Sequence, residues 1–248
     1  MAEKLPAKKL FVRFSTPEDE DAIFDFYASN PHTYVAKREP EVWRERIASG
    51  AVTLIHDEDG NIVASSISYP LVCPDEDGED THMWTEIGST RVALDGIGLF
   101  KTLVSTQIMR AYLLEPPEDR FALEIIKGNE HSKHVFLKAG ATAYDIPDAL
   151  QAKVSNILAP ESKGIDVEWF QMGVETLPLM AQYVLDSYKN PKLVNKKTGE
   201  EYELDFSRCA LTTQFLDAVE QVAGLDFGDA KKPNMSHGLR SFRDKFSP

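Results

Sequence analysis

Between Met83 and Leu114 the chain reads MWTEIGSTRVALDGIGLFKTLVSTQIMRAYLL. Its first part alternates as a strand does, with Trp84, Glu86, Gly88 and Thr90 on one face. Asp95-Gly96-Ile97-Gly98 then forms a glycine turn. From Leu99 the periodicity becomes helical: Leu99, Leu103, Gln107 and Ala111 recur every four residues, flanked by Val104 and Ile108. Glu115-Pro116-Pro117 stops the helix, because proline has no amide to donate. A strand, a glycine turn and a helix in this order suit an anionic ligand. Residues without a Cβ allow close approach, and the first turn of the helix presents unpaired amides at the positive end of its dipole. The arrangement serves many nucleotide sites. A dinucleotide-binding unit is disfavoured, since the six-residue glycine fingerprint is missing and no βαβ unit opens here. A P-loop is excluded, because no Gly-Lys-Ser/Thr follows the turn.

On the N-terminal side, Lys9 to Phe14 alternates as a strand. Thr16-Pro17-Glu18-Asp19 is a helix start, with a cap, a proline and acids on the dipole, and the helix runs to about Ala28. Glu39 to Ala48 is a second helix. Ala51 to His56 and Ile62 to Tyr69 flank a turn at Asp57–Asn61 and form a hairpin. On the C-terminal side, Phe121 to Ile126 is an apolar strand, Asn129 to Lys138 a helix stopped by Ala139-Gly140, and Val167 to Met172 a late strand. The predicted fold is mixed α/β over residues 8–175: a mostly antiparallel central sheet with helices on both faces. Residues 176–248 add a C-terminal helix–hairpin–helix extension: a helix from Thr176 to Tyr188, strands at Lys192–Val194 and Glu201–Leu204, and an amphipathic helix from Arg208 to Ala223.

The charge balance narrows the partners. Forty acidic residues against 27 basic ones give a net charge of −13. That surface repels nucleic acid and favours cationic partners such as amines. The basic residues Lys231, Lys232, Arg240, Arg243 and Lys245 at the C-terminus, and the acidic run Asp75–Asp80, read as solvated segments. The acidic run lacks calcium-loop spacing. Two cysteines, Cys73 and Cys209, in unlike contexts argue against a disulfide and a zinc site, and no metal is expected. With no signal-peptide run and no membrane-length apolar stretch, the expected location is cytoplasmic.

Two stretches resemble one family. Gly96-Ile97-Gly98-Leu99-Phe100-Lys101-Thr102-Leu103-Val104 is similar to the acyl-CoA pyrophosphate loop of the GNAT superfamily of N-acetyltransferases. Lys127-Gly128-Asn129-Glu130-His131-Ser132-Lys133-His134-Val135-Phe136-Leu137-Lys138-Ala139-Gly140-Ala141 resembles that family's second motif, and the order of elements from Lys9 to Met172 matches too. The resemblance implies acyl transfer, most often acetyl, from acetyl-CoA or another acyl-CoA to a primary amine on a small molecule, a protein lysine or an N-terminus. It implies that Val92 and Leu94 bind the pantetheine arm through their backbone. It assigns the pyrophosphate to the amides of Gly96, Ile97, Gly98, Leu99 and Phe100, and places Asn129 on the pantetheine or thioester side. Glu86 stands where many members keep a carboxylate base.

The sequence also departs from that pattern. Ala93 stands where an arginine or glutamine is usual, Phe100 replaces a small residue, and Phe136 replaces the tyrosine acid. Tyr144, His131 or His134 would then supply the proton, and Glu124 is a second candidate base. Ser132 reads as a helix-cap group. Acceptor pockets are expected from the region Thr16–Ser49 and from the extension. Two rival readings stand beside this one: a divergent enzyme of the same fold that modifies nucleic acid, motivated by the basic C-terminal residues and a short loop, and a catalytically silent CoA-binding or interaction module, motivated by Phe136 and Ala93.

Overall fold

The computed structural model describes residues 6–74, 80–115, 120–209 and 212–225. In chain order the elements are β1 (Lys8–Phe14), a single 3-10 turn (Pro17–Asp19), α1 (Glu20–Ser29), α2 (Pro40–Ala48), β2 (Val52–His56), β3 (Ile62–Pro74) and β4 (Asp80–Val92). There follow α3 (Leu99–Leu114), β5 (Arg120–Ile126), α4 (Glu130–Lys138), β6 (Thr142–Ala143), α5 (Asp148–Ile157) and β7 (Val167–Gly173). The extension comprises α6 (Leu177–Lys189), β8 (Lys192–Val194), β9 (Glu201–Asp205) and α7 (Thr212–Ala223). The expected start signal at Thr16 is present, whereas α4 is capped by the Asn129 side chain and not by the Ser132 hydroxyl. Thr16 and Asp19 form a reciprocal capping box, and the Oδ1 of Asn129 accepts from the Ser132 amide at 3.3 Å to cap α4.

All nine described strands lie in one sheet, in the order β6-β7-β5-β4-β3-β2-β1-β9-β8. It is antiparallel except at β4–β5 and β1–β9. A parallel neighbour needs a crossover, and α3 is the crossover from β4 to β5. The β4–β5 pairing lasts for two registers only, Thr85↔Phe121 and Glu86↔Ala122. Beyond Glu86 the edge of β4 has no β5 partner. That gap positions everything described below.

Helices cover both faces. On one, α3, α6 and α7 share a core with Ile87, Phe121, Leu123 and Phe170; Val184 of α6 and Val219 of α7 are fully buried in it. Fully burying a side chain of this size is worth about 1.5–3 kcal/mol, so the extension stabilises the α3 side of the sheet. On the other face, α1 and α2 close over Val52, Leu54, Ile67 and Tyr69, and α5 packs on Leu71, Ala122 and Trp169.

Sequence analysis assigned nothing between Gly140 and Val167, where the structure has β6 and α5. The signal was present in Leu150, Val154 and Ile157, which follow helical spacing and face the sheet. The strands β3 and β4 also run further than the sequence predicted, to Pro74 and from Asp80. The rest of the acidic run, Leu211 of the final amphipathic helix and the basic C-terminal residues lie outside the described residues. No helix among the described residues is long and apolar enough to cross a membrane.

Candidate functional site

The gap between β4 and β5 is maintained by a bulge. Along β3 the register jumps from Ile67↔Gly88 to Ser65↔Arg91, so Ser89 and Thr90 together oppose Ser66. Ser89 takes φ +46°, a left-handed conformation that costs a non-glycine residue roughly 1–2 kcal/mol. Its surroundings enforce it. The Tyr27 hydroxyl donates to the Ser89 carbonyl, the Tyr69 and Ser89 hydroxyls lie 2.7 Å apart, and Ser66 bonds Thr90 at 2.8 Å. Extra twist at a bulge turns β4 away from its neighbour. A cleft results, walled by Glu86–Thr90 of β4, Glu124–Ile126 of β5, and Asn129, Ser132 and Phe136 at α4, with Tyr34 and Arg38 facing them from the α1–α2 connection.

At the fork sits a buried charge cluster. Arg38 Nη2 donates to Glu86 Oε1 and, at 2.9 Å, to Glu124 Oε2. The side chains of Arg38 and Glu86 are 1% and 0% exposed, and that of Glu124 6%. Burial, and then the Glu124 carboxylate, push the Glu86 pKa up while the Arg38 guanidinium opposes them; the outcome is about 7. Arg38 Nε and Nη1 and Glu86 Oε2 have no hydrogen-bond partner among the described residues. Gly88 makes the contact possible, since a Cβ there would lie 2.5 Å from Glu86 Oε1 and 3.4 Å from Arg38 Nη2. Sequence reasoning found Glu86 and Glu124 and missed Arg38, which follows a lysine ahead of α2 and carries no periodicity signal.

The glycine turn lies at the far end of the same strand. Gly96 and Gly98 both have positive φ, +85° and +80°. They differ in surroundings. A Cβ on Gly96 would meet Asn195 Oδ1 at 3.1 Å, whereas nothing lies within 4 Å of one on Gly98. Among the described residues, nothing accepts from the amides of Gly98, Leu99 or Phe100. Open space beside Gly98 and unpaired amides at the start of a 16-residue helix fit a diphosphate. The unpaired edge of β4 fits an extended pantetheine arm. Phe100 lies on the cleft wall and meets Phe136 edge-on at 5.9 Å.

The other expected residues divide. Asn129 reaches the cleft, with its Oδ1 engaged as the α4 cap. The Val92 carbonyl accepts from Arg91 Nη1, and Leu94 packs against the main core. Tyr144 is not on the cleft wall: its ring stacks on Trp84 at 5.0 Å, because the Tyr144 amide is tied to the Trp169 carbonyl beside β6. His131 and His134 are exposed on α4 and line no part of the cleft either. Of the cleft hydroxyls, Ser89 and Thr90 are occupied in holding the bulge. Tyr34 and Ser132 have hydroxyls with no hydrogen-bond partner among the described residues, and sequence analysis did not single out Tyr34.

A second groove opens from Arg38 on the α1–α2 side. Phe24, Tyr27, Val35, Pro40, Trp43 and Pro160 give it an apolar wall, and Lys37, Glu39 and Glu161 give it charge. Residues 37–39 hold it shut at the rear by pairing with 157–159, through Glu39 N to Ile157 O and Ala159 N to Lys37 O, each 3.0 Å. Most of its wall comes from the Thr16–Ser49 region. No described residue of the extension lines it, since α6 packs on α3, on the opposite face of the sheet.

No family model and no curated protein matches this sequence. Solved structures similar to it are N-acetyltransferases of the GNAT family, at low identity. One from Streptococcus pneumoniae is 16% identical, with a TM-score of 0.47 over 66% of this chain and 99% of that one. The ribosomal-protein-alanine N-acetyltransferase of Brucella melitensis is 18% identical, with a TM-score of 0.46 over 65% and 98%. Arabidopsis thaliana Naa50, in complex with a bisubstrate analogue, is 14% identical, with a TM-score of 0.46 over 66% and 98%.

Proposed function

We propose that this protein is an acyl-CoA-dependent N-acyltransferase that moves an acyl group, most simply acetyl, from acetyl-CoA to a primary amine. One observation carries the reading. The strands β4 and β5 part immediately after Glu86, so the cleft that would take the pantetheine arm has a buried carboxylate at its fork and Phe100, from the first turn of the helix that follows the glycine turn, on its wall. Bound acyl-CoA would contribute an activated thioester carbonyl. The chain's own residues do the rest. An amine attacks only when neutral, and Glu86, with a pKa of about 7 and a free Oε2, takes its proton directly or through a water. Arg38 keeps Glu86 partly ionised and fixes its orientation. Amides along the unpaired edge of β4 are the available donors to a carbonyl oxygen. The acceptor, a small amine or a protein amine, approaches along the aromatic groove that meets the cleft at Arg38. The location proposed for this activity is the cytoplasm.

A silent CoA-binding module is the second reading, favoured by Phe136 and by the engagement of Glu86 with Arg38. Calorimetry with CoA tests what the two share. Wild type binds, and Gly98→Asp abolishes binding by placing a carboxylate where the diphosphate would lie. A wild type blind to CoA removes both readings. Thiol release from acetyl-CoA across a broad amine panel separates them.

A further inference from the structure

The extension touches the glycine turn. The buried Asn195 lies in the turn between β8 and β9. Its Nδ2 donates to the Asp95 carbonyl at 3.2 Å, and its Oδ1 accepts from the amides of Lys197 at 2.9 Å and Thr198 at 3.2 Å. The Lys196 amide donates to the Gly96 carbonyl at 3.3 Å. One buried side chain thus fastens a Lys-Lys turn against the backbone of the glycine turn. Gly96 is needed for that approach, since its Cβ would press on Asn195. Both lysines are exposed, and neither forms an ion pair among the described residues. Glu200, the acid nearest them in sequence, is paired with Lys8 at 2.8 Å. Two free cations are thus held beside the proposed phosphate cradle of a chain whose net charge is −13. The other nearby cation, Lys101, has its ammonium 4.3 Å from the centre of the Tyr183 ring.

We propose that Lys196 and Lys197 bind the phosphates of the nucleotide half of CoA, so that the extension completes the cofactor site from outside the α/β core. The inference rests on the acyl-CoA reading and adds what that reading does not contain. Amides of Gly98, Leu99 and Phe100 hold oxygens by direction, while the two ammonium groups offset charge that an acidic surface repels. Without them, a ligand with a diphosphate and a 3′-phosphate would meet Asp95 unopposed.

The test is calorimetry with CoA and with 3′-dephospho-CoA on three proteins: wild type, K196E/K197E, and K163E/K192E. The last carries the same charge change on exposed lysines outside the turn, one between α5 and β7 and one at the start of β8. Reversing two exposed charges should weaken CoA binding on the order of tenfold and flatten its salt dependence, with K163E/K192E close to wild type. A loss confined to CoA assigns the contact to the 3′-phosphate, and a loss with both ligands assigns it to the diphosphate; either supports the inference. Equal affinity of K196E/K197E and wild type for both ligands overturns it while the acyl-CoA reading stands. An equal loss in K163E/K192E also overturns it, since total charge would then be the cause. A wild type that binds neither ligand ends the acyl-CoA reading and this inference with it.

Discussion

Replacing Arg38 by Gln removes the one cation that Glu86 and Glu124 share and keeps a polar group in its place. At an effective dielectric of ~20, two unit charges ~4 Å apart interact by about 4 kcal/mol. Removing one member of a buried pair usually costs about 3–5 kcal/mol, because the remaining charge stays desolvated. Here Glu86 can escape by taking up a proton, so the cost depends on pH. In the wild type Glu86 already sits above its ordinary value, at about 7. The native state therefore holds this proton more tightly than the unfolded chain does. Its stabilising contribution is complete below the unfolded value of about 4.5 and is lost as pH rises through about 7. Without Arg38 the native pKa moves higher still, and the loss continues to higher pH.

Urea unfolding followed by tryptophan fluorescence should then show Arg38→Gln destabilised by about 3–5 kcal/mol at pH 8.5. Near pH 5.5, where Glu86 is protonated, that difference should shrink. The assay needs neither cofactor nor acceptor. An identical loss at both pH values would refute the argument, because it would make Arg38 a packing residue whose charge the carboxylates do not sense.

Two further outcomes concern the chemistry. Glu86→Gln should lower acyl transfer by ~10²–10⁴-fold near neutral pH, remove the rise of rate through about pH 7 and leave CoA affinity unchanged in calorimetry; an unaltered pH–rate profile moves the base to Glu124. Tyr34→Phe should slow thiol release on the order of tenfold and no more, because a thiol of pKa ~8.5 departs tolerably unaided, and Phe136→Tyr in that background should restore the rate. Equal rates in wild type and Tyr34→Phe would leave solvent as the proton source.

What could be read from the sequence was local. The strand, turn and helix from Met83 to Leu114, the hairpin after Ala51 and the helix from Asn129 are each encoded within one continuous stretch, and periodicity and turn chemistry act over that range. The parts that could not be read join distant segments. Arg38 meets its carboxylates across 48 and 86 residues of chain. Ser89 adopts its strained φ because Tyr27 and Tyr69 hold it there, and serine is not a residue whose type announces such a conformation. Gly96 and Gly98 look equivalent in sequence; only the position of Asn195 separates a glycine required by packing from one facing open space.

Burial alone does not make a charge cluster a site, and a second cluster in the same molecule shows why. Glu115 accepts from Arg46 and Ser68, each at 2.6 Å, and from Arg110, between α2, β3 and the end of α3. There two cations share one carboxylate, and the cluster ties layers together away from the cleft. Each cluster leaves one carboxylate Oε2 unbonded among the described residues, but at Arg38 the count is reversed, with two carboxylates on one cation and a cleft wall beside them. An excess of carboxylate is poor for stability and good for a base, because burial then raises a pKa that a second cation would have held down. The strained Ser89 and the side-chain-free Gly88 occupy the same few residues of β4. The destabilising features of the strand are thus gathered where it leaves β5, around a buried ion cluster that fold stability alone does not call for. Acid–base chemistry at the fork does.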